Sequence, residues 1–414
     1  MQRAGQIAPQ PWMTAPATRA VLDALSAEGA CVRFVGGCVR DAVLGRPVKD
    51  VDFATPDEPE TVLRLLARAG HRALPTGLEH GTVTAVVDAA RFEITTLRRD
   101  VETDGRRARV AFTDDWVTDA RRRDFTINAV YCAADGTLYD PVGGLEDLRR
   151  GRVRFVGDAR RRIIEDKLRL LRFFRFYAWY GRPPADPAAL DACRELAPEL
   201  KGLSGERVRE EILAVLGAPD PAPVIAMMAE DRVLEQALPE AGDGRRLAAL
   251  VTAEGLTGGA DPLRRLAALL GGGSATAVAE RLRLSKAQRE RLRTLTDPPM
   301  AVTVDLDRRA RRHALYRLGA DTFRDLALLA WAGEGETRSR HETETWRALI
   351  TEAETWTPPK FPLHGRDVLA LGVAAGPAVG ELLGRVEEWW IEGDFTADRK
   401  AALAHLRALV AKTR

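Results

Sequence analysis

The sequence predicts an α+β fold in which a mixed segment of strands and helices is followed by a long all-α region. Up to about residue 147, short runs with the two-residue period of strands lie between runs with the period of amphipathic helices. Beyond about residue 148 the helical period continues almost to the end of the 414-residue chain. This length suits two to four domains, and a hydrophobic content of 45% is sufficient for globular cores.

The elements of the first segment follow from local patterns. Residues 1–14 are irregular, and the stretch ATRAVLDALSAEG predicts a helix that ends at Gly29. Strands are predicted at CVRFV, VDFAT, TVTAVV and RFEITTL, with an amphipathic helix at EPETVLRLLARAG. The turn Asp88-Ala89-Ala90 joins the last two strands as a hairpin. Residues 98–114 are charged and contain Asp104-Gly105, which predicts a mobile loop.

The all-α region is divided by stretches rich in glycine and proline, residues that end helices. These breaks lie near residues 181–187, 217–222, 254–262, 271–274 and 357–365. The segments between them have helical periodicity, and no fixed-period repeat or low-complexity stretch joins them. We therefore expect separate helices that pack into more than one helical domain.

Composition and charge narrow the class of protein. The formal net charge is +2, from 62 basic and 60 acidic residues, which is too balanced to indicate a polyanionic partner by total charge alone. The four cysteines show no CxxC spacing, which suits a reducing compartment and small core residues. There is no signal-peptide pattern and no long apolar run, so we expect a cytoplasmic protein with no membrane segment.

The stretch FVGGCVRDAVLGRPVKDVDFAT combines a glycine turn with two acids that have one residue between them. On a strand, Asp50 and Asp52 lie on the same face, and such a pair suits Mg²⁺, which prefers oxygen ligands. Upstream, Gly36 and Gly37 allow backbone N–H groups to approach a phosphate, and Arg40 can bind phosphate oxygens. A glycine turn or an acidic pair alone would suit an ordinary turn and edge strand, but their combination favours a metal-bound triphosphate.

GGCVRDAVLGRPVKDVDFAT resembles the motif of the class II tRNA nucleotidyltransferase and bacterial poly(A) polymerase family, in the DNA polymerase β-like superfamily. The resemblance implies an N-terminal nucleotidyltransferase head, with a mixed or antiparallel sheet and helices, followed by an all-α neck, body and tail. It also implies that Asp50 and Asp52 bind the metal ions for nucleotidyl transfer. Members of the superfamily add a third acid from a neighbouring strand. Glu93 in FEITTLRRD matches that position, with an exposed hairpin glutamate as the equal alternative.

Further motifs of the family follow downstream. RRRDFTINAVYC resembles RRDFT-x-NA, which implies that Arg122 and Arg123 face ribose and phosphates while Asp124 and Asn128 fix the geometry or the sugar hydroxyls. The resemblance does not fix which arginine of residues 121–123 meets the ribose. The alternative is a basic helix start capped by Asp124. DPVGGLEDL, residues 140–148, is similar to the family's hinge between head and neck, where two glycines supply either flexibility or a tight turn.

The stretch EDKLRLLRFFRF resembles the family motif that contacts the incoming base. A helix over residues 165–176 would place Asp166, Arg169, Arg172 and Arg175 along one stripe. An amphipathic helix with a charged outer face is the default interpretation. The resemblance instead assigns Asp166 and Arg169 to the base, with Arg172 and Arg175 serving the phosphates or bracing the acid. LSGERVREEIL resembles a fifth motif in which Ser204 caps a helix and Glu206 or Arg207 supports the neck.

Base selection by one acid and one arginine has a chemical rationale. Cytosine and adenine each present an exocyclic amino donor beside a ring-nitrogen acceptor, whereas uracil and guanine present a carbonyl beside an N–H. A carboxylate that accepts and a guanidinium that donates complement the first two bases only. A site with unpaired polar groups can reject an analogue by roughly 10⁴-fold.

The resemblance divides the chain into a catalytic head (1–147), a helical neck with the base-selecting helix (148–216), a body (217–300) and a tRNA-binding tail (301–414). It implies template-independent addition of C, C and A to tRNA 3′ ends from CTP and ATP. Alternatives are an A-adding enzyme or poly(A) polymerase, a non-catalytic tRNA-binding protein, and a small-molecule nucleotidyltransferase, which would leave the helical region unexplained. The motifs do not separate CCA addition from A-only addition.

Overall fold

The computed structural model describes residues 1–104, 107–270, 275–335 and 339–413. The chain forms two compact units. One unit consists of Met1–Pro239 with Arg281–Arg283, and the other of Glu240–Glu280 with Leu284–Arg414. The finer division into head, neck, body and tail remains a prediction.

The first unit contains a mixed eight-stranded sheet and a separate two-stranded hairpin. The sheet order is β1-β10-β9-β2-β3-β6-β5-β4, and the hairpin consists of β7 and β8. The strands are β1 (Arg3–Gln6), β2 (Arg33–Val35), β3 (Val51–Thr55), β4 (Arg72–Gly77), β5 (Thr82–Val87), β6 (Ala90–Thr96), β7 (Arg98–Asp104), β8 (Arg107–Phe112), β9 (Tyr131–Cys132) and β10 (Thr137–Tyr139). Among these pairs β3 and β6 run parallel, and the others are antiparallel.

Helices flank the sheet and then continue through the rest of the first unit. They are α1 (Pro11–Thr14), α2 (Pro16–Ser26), α3 (Gly37–Val43), α4 (Pro59–Arg68), α5 (Trp116–Arg122), α6 (Gly144–Arg150), α7 (Ala159–Glu165), α8 (Leu168–Tyr180), α9 (Pro187–Leu196), α10 (Gly205–Leu216), α11 (Ala222–Glu230) and α12 (Val233–Ala237). One face of the sheet packs on α2, α3 and α4 in a core that contains Phe34, Phe53 and Ile94. On the opposite face, Val35 and Ala54 pack in a second, smaller core with Tyr131, and Asp52 lies on that same face of β3.

The second unit is built from helices throughout its described part. These helices are α13 (Arg245–Thr257), α14 (Pro262–Leu270), α15 (Ala275–Arg281), α16 (Lys286–Thr296), α17 (Arg308–Leu318), α18 (Ala320–Gly333), α19 (Arg340–Thr355), α20 (Gly365–Leu369), α21 (Pro377–Glu392) and α22 (Arg399–Thr413). The final residue of α15, Arg281, belongs to the first unit, and the rest of this helix belongs to the second. The predicted break at 271–274 lies outside the described residues. No helix of the described ranges is both long and apolar enough to cross a membrane.

Most elements lie where the sequence predicts them, with four corrections. Within residues 98–114, predicted as a mobile loop, residues 98–104 and 107–112 form the paired strands β7 and β8, and Gly105 of the predicted Asp104-Gly105 turn lies outside the described residues. Residues 1–14, predicted as irregular, contain β1, which pairs with β10, and α1. Of the four cysteines, all free thiols, Cys31 is exposed rather than in a core.

The predicted continuous helix over residues 165–176 is also wrong, because it breaks at its second residue. Asp166 has φ −149° and ψ 108°, an extended conformation that ends α7 at Glu165. Its carboxylate accepts the backbone N–H of Leu168 (3.1 Å) and so stabilises the start of α8. Asp166 therefore projects from a break between two helices and does not share a helical stripe with the arginines that follow.

The core of the second unit contains a buried ion-pair cluster formed by Glu254, Arg264, Arg265 and Asp325, each 5% exposed or less. Glu254 accepts hydrogen bonds from the Nη2 of Arg264 (2.6 Å) and from the Nε of Arg265 (2.6 Å). Arg264 also donates from Nη1 to Asp325 Oδ1 (2.7 Å). Because each buried charge in the cluster has an opposite charge at hydrogen-bond distance, desolvation is offset only while the cluster is complete.

Glu254→Ala is expected to destabilise the second unit by about 3–5 kcal/mol, because it removes a carboxylate partner from two buried guanidinium groups. Urea unfolding followed by tryptophan fluorescence measures the loss. Glu290→Ala is the matched control, since its pair with Arg293 (2.6 Å) is largely exposed and contributes little. Equal unfolding midpoints for the two variants would contradict a role of the cluster in stability.

Candidate active site

Three carboxylates converge on the sheet face opposite the core of Phe53 and Ile94. Asp52 on β3 and Glu93 on β6 are direct register partners in the parallel pair, and Asp50 immediately precedes β3. Burial raises the pKa of Asp52, and the charges of Glu93 and Asp50 raise it further, to about 6, against the opposing effect of Arg123. The arrangement therefore concentrates negative charge that no nearby cation of the protein fully offsets.

The glycine turn lies against this acidic group. Gly36 has φ +75°, a conformation that favours glycine, and a Cβ added to it would lie 3.9 Å from Asp52 Oδ2. Helix α3 begins at the next residue, Gly37, so its first backbone N–H groups start beside the acids. Arg40, in the first turn of that helix, is 8% exposed, and its guanidinium lies 4.1 Å from the ring centroid of Tyr180.

Arg40 begins a hydrogen-bonded chain that links the predicted residues of two motifs. Its Nη1 donates to Asn128 Oδ1 (2.8 Å), and Asn128 Nδ2 donates to Asp124 Oδ1 (3.1 Å). Asp124 in turn accepts from Nε of Arg172 (2.8 Å). Burial alone would raise the pKa of Asp124, but Arg172 and the other hydrogen bonds lower it to about 2. These bonds favour the charged form of Asp124. Its Oδ1 also accepts the backbone N–H of Phe125 (2.8 Å), and Phe125 rather than Asp124 holds the cap position of the short helix over Thr126–Asn128.

Arg122 and Arg123 lie at the C-terminal end of α5, where both meet a buried acid on the same helix. Asp119, 1% exposed, accepts from Arg122 Nε (2.8 Å), Arg123 Nη2 (2.9 Å) and the hydroxyl of Tyr131 (2.7 Å). Asp119 was absent from the predicted site. Its spacing of three and four residues from two arginines is the signal in the sequence that could have found it.

The two residues predicted to contact the base are close in sequence but are held by different partners. Both carboxylate oxygens of Asp166 accept from Nη2 of Arg207 on α10 (3.0 Å each). Arg169 donates from Nη1 to Glu165 Oε2 (2.7 Å) and to the carbonyl of Arg162 (3.1 Å). Asp166 and Arg169 are thus separately anchored, with part of each side chain left accessible.

The remaining motif residues brace acids or turns. Arg175 pairs with the buried Glu211 on α10 (3.2 Å), while Arg172 holds Asp124. In the DPVGGLEDL stretch, Asp140 accepts the backbone N–H groups of Gly144 and Leu145 (2.8 Å each). A Cβ at Gly144 would lie 2.0 Å from the carbonyl oxygen of Thr126. This stretch is therefore a tight turn in which glycine is required by a close backbone approach. Ser204 precedes α10, but its side chain makes no cap hydrogen bond.

Comparison with known proteins defines the class. Residues 32–154 match the family described as "Poly A polymerase head domain", and residues 186–243 match the one described as "Probable RNA and SrmB- binding site of polymerase A". Fold and site are thus those of a nucleotidyltransferase. CCA tRNA nucleotidyltransferase 1, mitochondrial, of Danio rerio is 34% identical over 91% of this chain and 86% of its own length. The chain belongs to the family of CCA-adding tRNA nucleotidyltransferases.

Two further comparisons agree with that assignment. The CCA-adding enzyme of Streptococcus pneumoniae serotype 19F is 30% identical over 94% of this chain and 96% of its own. The crystal structure of the Bacillus stearothermophilus CCA-adding enzyme in complex with CTP superposes with a TM-score of 0.75 at 25% identity, covering 97% of this chain and 99% of that one. The predicted family, fold class and enzyme class are confirmed.

Proposed function

We propose that the chain adds C, C and A to the 3′ ends of tRNA, using CTP and ATP without a nucleic-acid template. The observation that carries this proposal is the convergence of Asp50, Asp52 and Glu93 beside the Gly36 turn and the start of α3. A binding protein would have no use for a cluster of acids that raises the pKa of Asp52 to about 6. Family membership favours CCA addition over A-only addition or polyadenylation.

We assign the metal sites to Asp50 and Asp52, with Mg²⁺ as the ion. The donor set fits, because carboxylate oxygens are the ligands that Mg²⁺ prefers and uncompensated negative charge surrounds Asp52. Within the described residues no group of three or more His, Cys, Asp or Glu side chains is arranged as a complete metal site. Mg²⁺ typically binds one or two carboxylates and takes its other ligands from substrate phosphates and water. Glu93 is the proposed third acid.

The chain's own residues would bind and orient the reactants around the acids. Backbone N–H groups at Gly36 and Gly37 and the guanidinium of Arg40 would hold the triphosphate. Asn128 and Asp124 would position the ribose, with Arg122 and Arg123 facing sugar and phosphates. Bound divalent ions would activate the RNA 3′-hydroxyl and stabilise the pyrophosphate that leaves. Because these groups are held by buried hydrogen bonds, little reorganisation is required when the substrates bind.

Asp166 and Arg169 would select the base. Asp166, clamped by Arg207, would accept from the exocyclic amino group of cytosine or adenine, and Arg169, clamped by Glu165, would donate to the ring nitrogen. Arg172 and Arg175 would support this selection by holding Asp124 and Glu211 in place. The partner would be the acceptor end of tRNA. The cytoplasmic compartment stays a prediction.

Incubation of the purified protein and Mg²⁺ with tRNA that lacks its CCA end, and with each nucleotide separately and combined, tests the proposal. We expect labelled C from CTP alone and a complete CCA end from CTP with ATP. Incorporation of A only, onto a CC end or onto generic RNA, would instead indicate an A-adding enzyme or a poly(A) polymerase. RNA binding without any incorporation would indicate a non-catalytic binding protein.

Arg123→Gln is expected to lower kcat/KM on the order of 10²-fold and to move the acid limb of the pH–activity profile to higher pH. The sign follows from Asp52, whose pKa of about 6 is held down by the charge of Arg123, so that removal of this charge extends the protonated form to higher pH. Profiles at one fixed Mg²⁺ concentration measure the change. Arg122→Gln is the control for the position of the limb only, since Arg122 also pairs with Asp119 (2.8 Å) while the charges that shift the pKa of Asp52 are those of Glu93, Asp50 and Arg123. The idea fails if both variants keep the wild-type limb.

A further inference from the structure

A second concave site lies in the first unit, apart from the residues assigned above to metal, triphosphate and base. This pocket encloses about 460 Å³, within the range of roughly 300–1,000 Å³ that is usual for ligand sites. It lies between the end of α5 and helix α7, and Arg121, Arg154, Arg161 and Arg162 line it. Glu165 also lines it, and this residue is the acid that holds Arg169.

The lining carries more positive than negative charge, and its two acids already accept hydrogen bonds from the protein. Four arginines face two carboxylates, those of Asp158 and Glu165. Asp158 accepts the backbone N–H of Arg161 (2.7 Å), and Glu165 accepts from Nη1 of Arg162 (2.6 Å) as well as from Arg169. Asp147, which is buried and pairs with Arg154 (3.0 Å), offsets one of the two excess positive charges, and the remaining charge favours an anionic ligand.

Two of the four arginines keep donors for such a ligand. The side chain of Arg121 is exposed, and its guanidinium forms no hydrogen bond or salt bridge with any residue that the structure describes. Arg161 is 82% exposed at its side chain and reaches Glu165 only at 3.4 Å. A guanidinium with free N–H groups binds phosphate through paired hydrogen bonds. Arg121 and Arg161 are therefore the groups that a phosphate would contact.

Besides its charged residues, Thr126 and Gly157, the lining contains two valines that form an apolar portion suited to the remainder of a nucleotide. Val142 is half-buried, Val156 is 6% exposed, and both face the same pocket as the arginines. A phosphate beside an apolar wall matches a nucleoside phosphate better than a free inorganic ion, which would leave the wall unused. From this geometry we infer that the pocket binds a nucleoside phosphate, with the phosphate on Arg121 and Arg161 and the base or sugar against Val142 and Val156.

This inference rests on the proposed function for the kind of ligand, since the protein handles both RNA and free nucleotides. Glu165 lines the pocket and also accepts a hydrogen bond from Arg169 of the base-selecting pair. A ligand in the pocket would therefore be separated from Arg169 by this carboxylate. The bound nucleoside phosphate is either a residue of the RNA substrate or a second free nucleotide. Both sources present the same chemistry, and the experiment separates them.

The test compares the wild-type protein with the double variant Arg121→Gln/Arg161→Gln. The affinity for tRNA that lacks its CCA end, measured without nucleotide, is expected to fall on the order of 10-fold for an RNA residue. The slope of log K against log salt concentration is expected to fall by about one, because counterion release follows each phosphate contact. For a free nucleotide, equilibrium dialysis with labelled CTP instead gives two bound molecules per wild-type chain and one per variant chain.

Matched variants keep the outcome interpretable. Arg121→Lys/Arg161→Lys keeps the charge and is expected to restore most of the binding, whereas equal loss in this variant would overturn the proposal. Arg160→Gln is the control, because Arg160 lies on the same helix but pairs with Glu195 (2.8 Å) outside the pocket. Unchanged RNA affinity, salt slope and CTP stoichiometry in the double glutamine variant would also overturn it. Because these are binding measurements, they stand even if the wild-type protein fails to add CCA.

Discussion

Asp52→Asn is expected to reduce nucleotide addition at least ~10³-fold while stabilising the metal-free fold. Activity falls because one of the two proposed metal-holding carboxylates loses its charge. Stability rises because burial and the charges of Glu93 and Asp50 raise the pKa of Asp52 from 3.8 to about 6, so that the ionised form is disfavoured in the folded state. The gain is expected to be about 3 kcal/mol, because each pKa unit corresponds to about 1.4 kcal/mol.

The pH dependence of that stabilisation follows from the raised pKa. Below about pH 4 Asp52 is protonated in both states and the variant gains nothing. The gain grows between about pH 4 and pH 6 and is complete above that range, where the wild-type carboxylate is ionised in both states and folding must bury the charge. Thermal unfolding in chelator at pH 4 and pH 8 measures it. Asp23→Asn, at an exposed position of α2, is the control and should change neither activity nor stability.

Addition of Mg²⁺ is expected to make the wild-type protein more stable than Asp52→Asn. The ion binds the folded wild-type protein and stabilises it by mass action, and Asp52→Asn should respond far less. An inactive variant that responds to Mg²⁺ as the wild type does would place the metal elsewhere. A fully active variant would refute the assignment of the acids altogether.

Asp166→Ala is expected to leave a protein that adds nucleotides but selects them poorly. The preference for CTP over UTP and for ATP over GTP is expected to fall from roughly 10⁴-fold to roughly 10-fold, because the acceptor that rejects a carbonyl is gone. Single-turnover rates with each of the four nucleotides measure this ratio. A uniform loss for all four nucleotides would show instead that Asp166 serves the fold or the chemistry and not the choice of base.

Arg207 provides an independent check on the same assignment. Arg207→Met frees the carboxylate of Asp166 from its clamp, and we expect an intermediate loss of discrimination with the acid still present. Arg209→Gln is the matched control, because Arg209 lies on the same helix but donates to the carbonyl of Arg283 (2.6 Å). Discrimination that is intact in Arg207→Met would mean that the clamp does not position the acid.

Local patterns in the sequence were sufficient to predict many of the strands and helices of the N-terminal head. The strand Val51–Thr55 and the hairpin of β5 and β6 lie where alternation predicts them, because each pattern is short and its turn is adjacent. The RFEITTL strand is shifted by one residue at each end, which is an ordinary boundary error. The family motifs identified the class of enzyme without any knowledge of tertiary contacts.

Features that depend on partners distant in the chain could not be predicted from the sequence. Asp166 breaks a stretch whose helical periodicity continues on both sides, and its partner Arg207 is 41 residues away. Strand β1 has the sequence RAGQ, without apolar alternation, and depends on pairing with β10 near residue 139. The position of Glu93 relative to Asp52 depends on the register of two parallel strands, which no local pattern specifies.

The parallel pairing of β3 and β6 has a consequence for how the gene can change in length. The chain between these strands, from residue 56 to residue 89, runs through α4, β4 and β5 and returns, so insertions at its outer turns leave the acids in place. A single residue inserted between Phe92 and Glu93 would instead displace the acid, because it would turn the glutamate side chain to the apolar face of the sheet. The outer turns between β3 and β6 can therefore change in length, whereas the number of residues in β6 before Glu93 cannot.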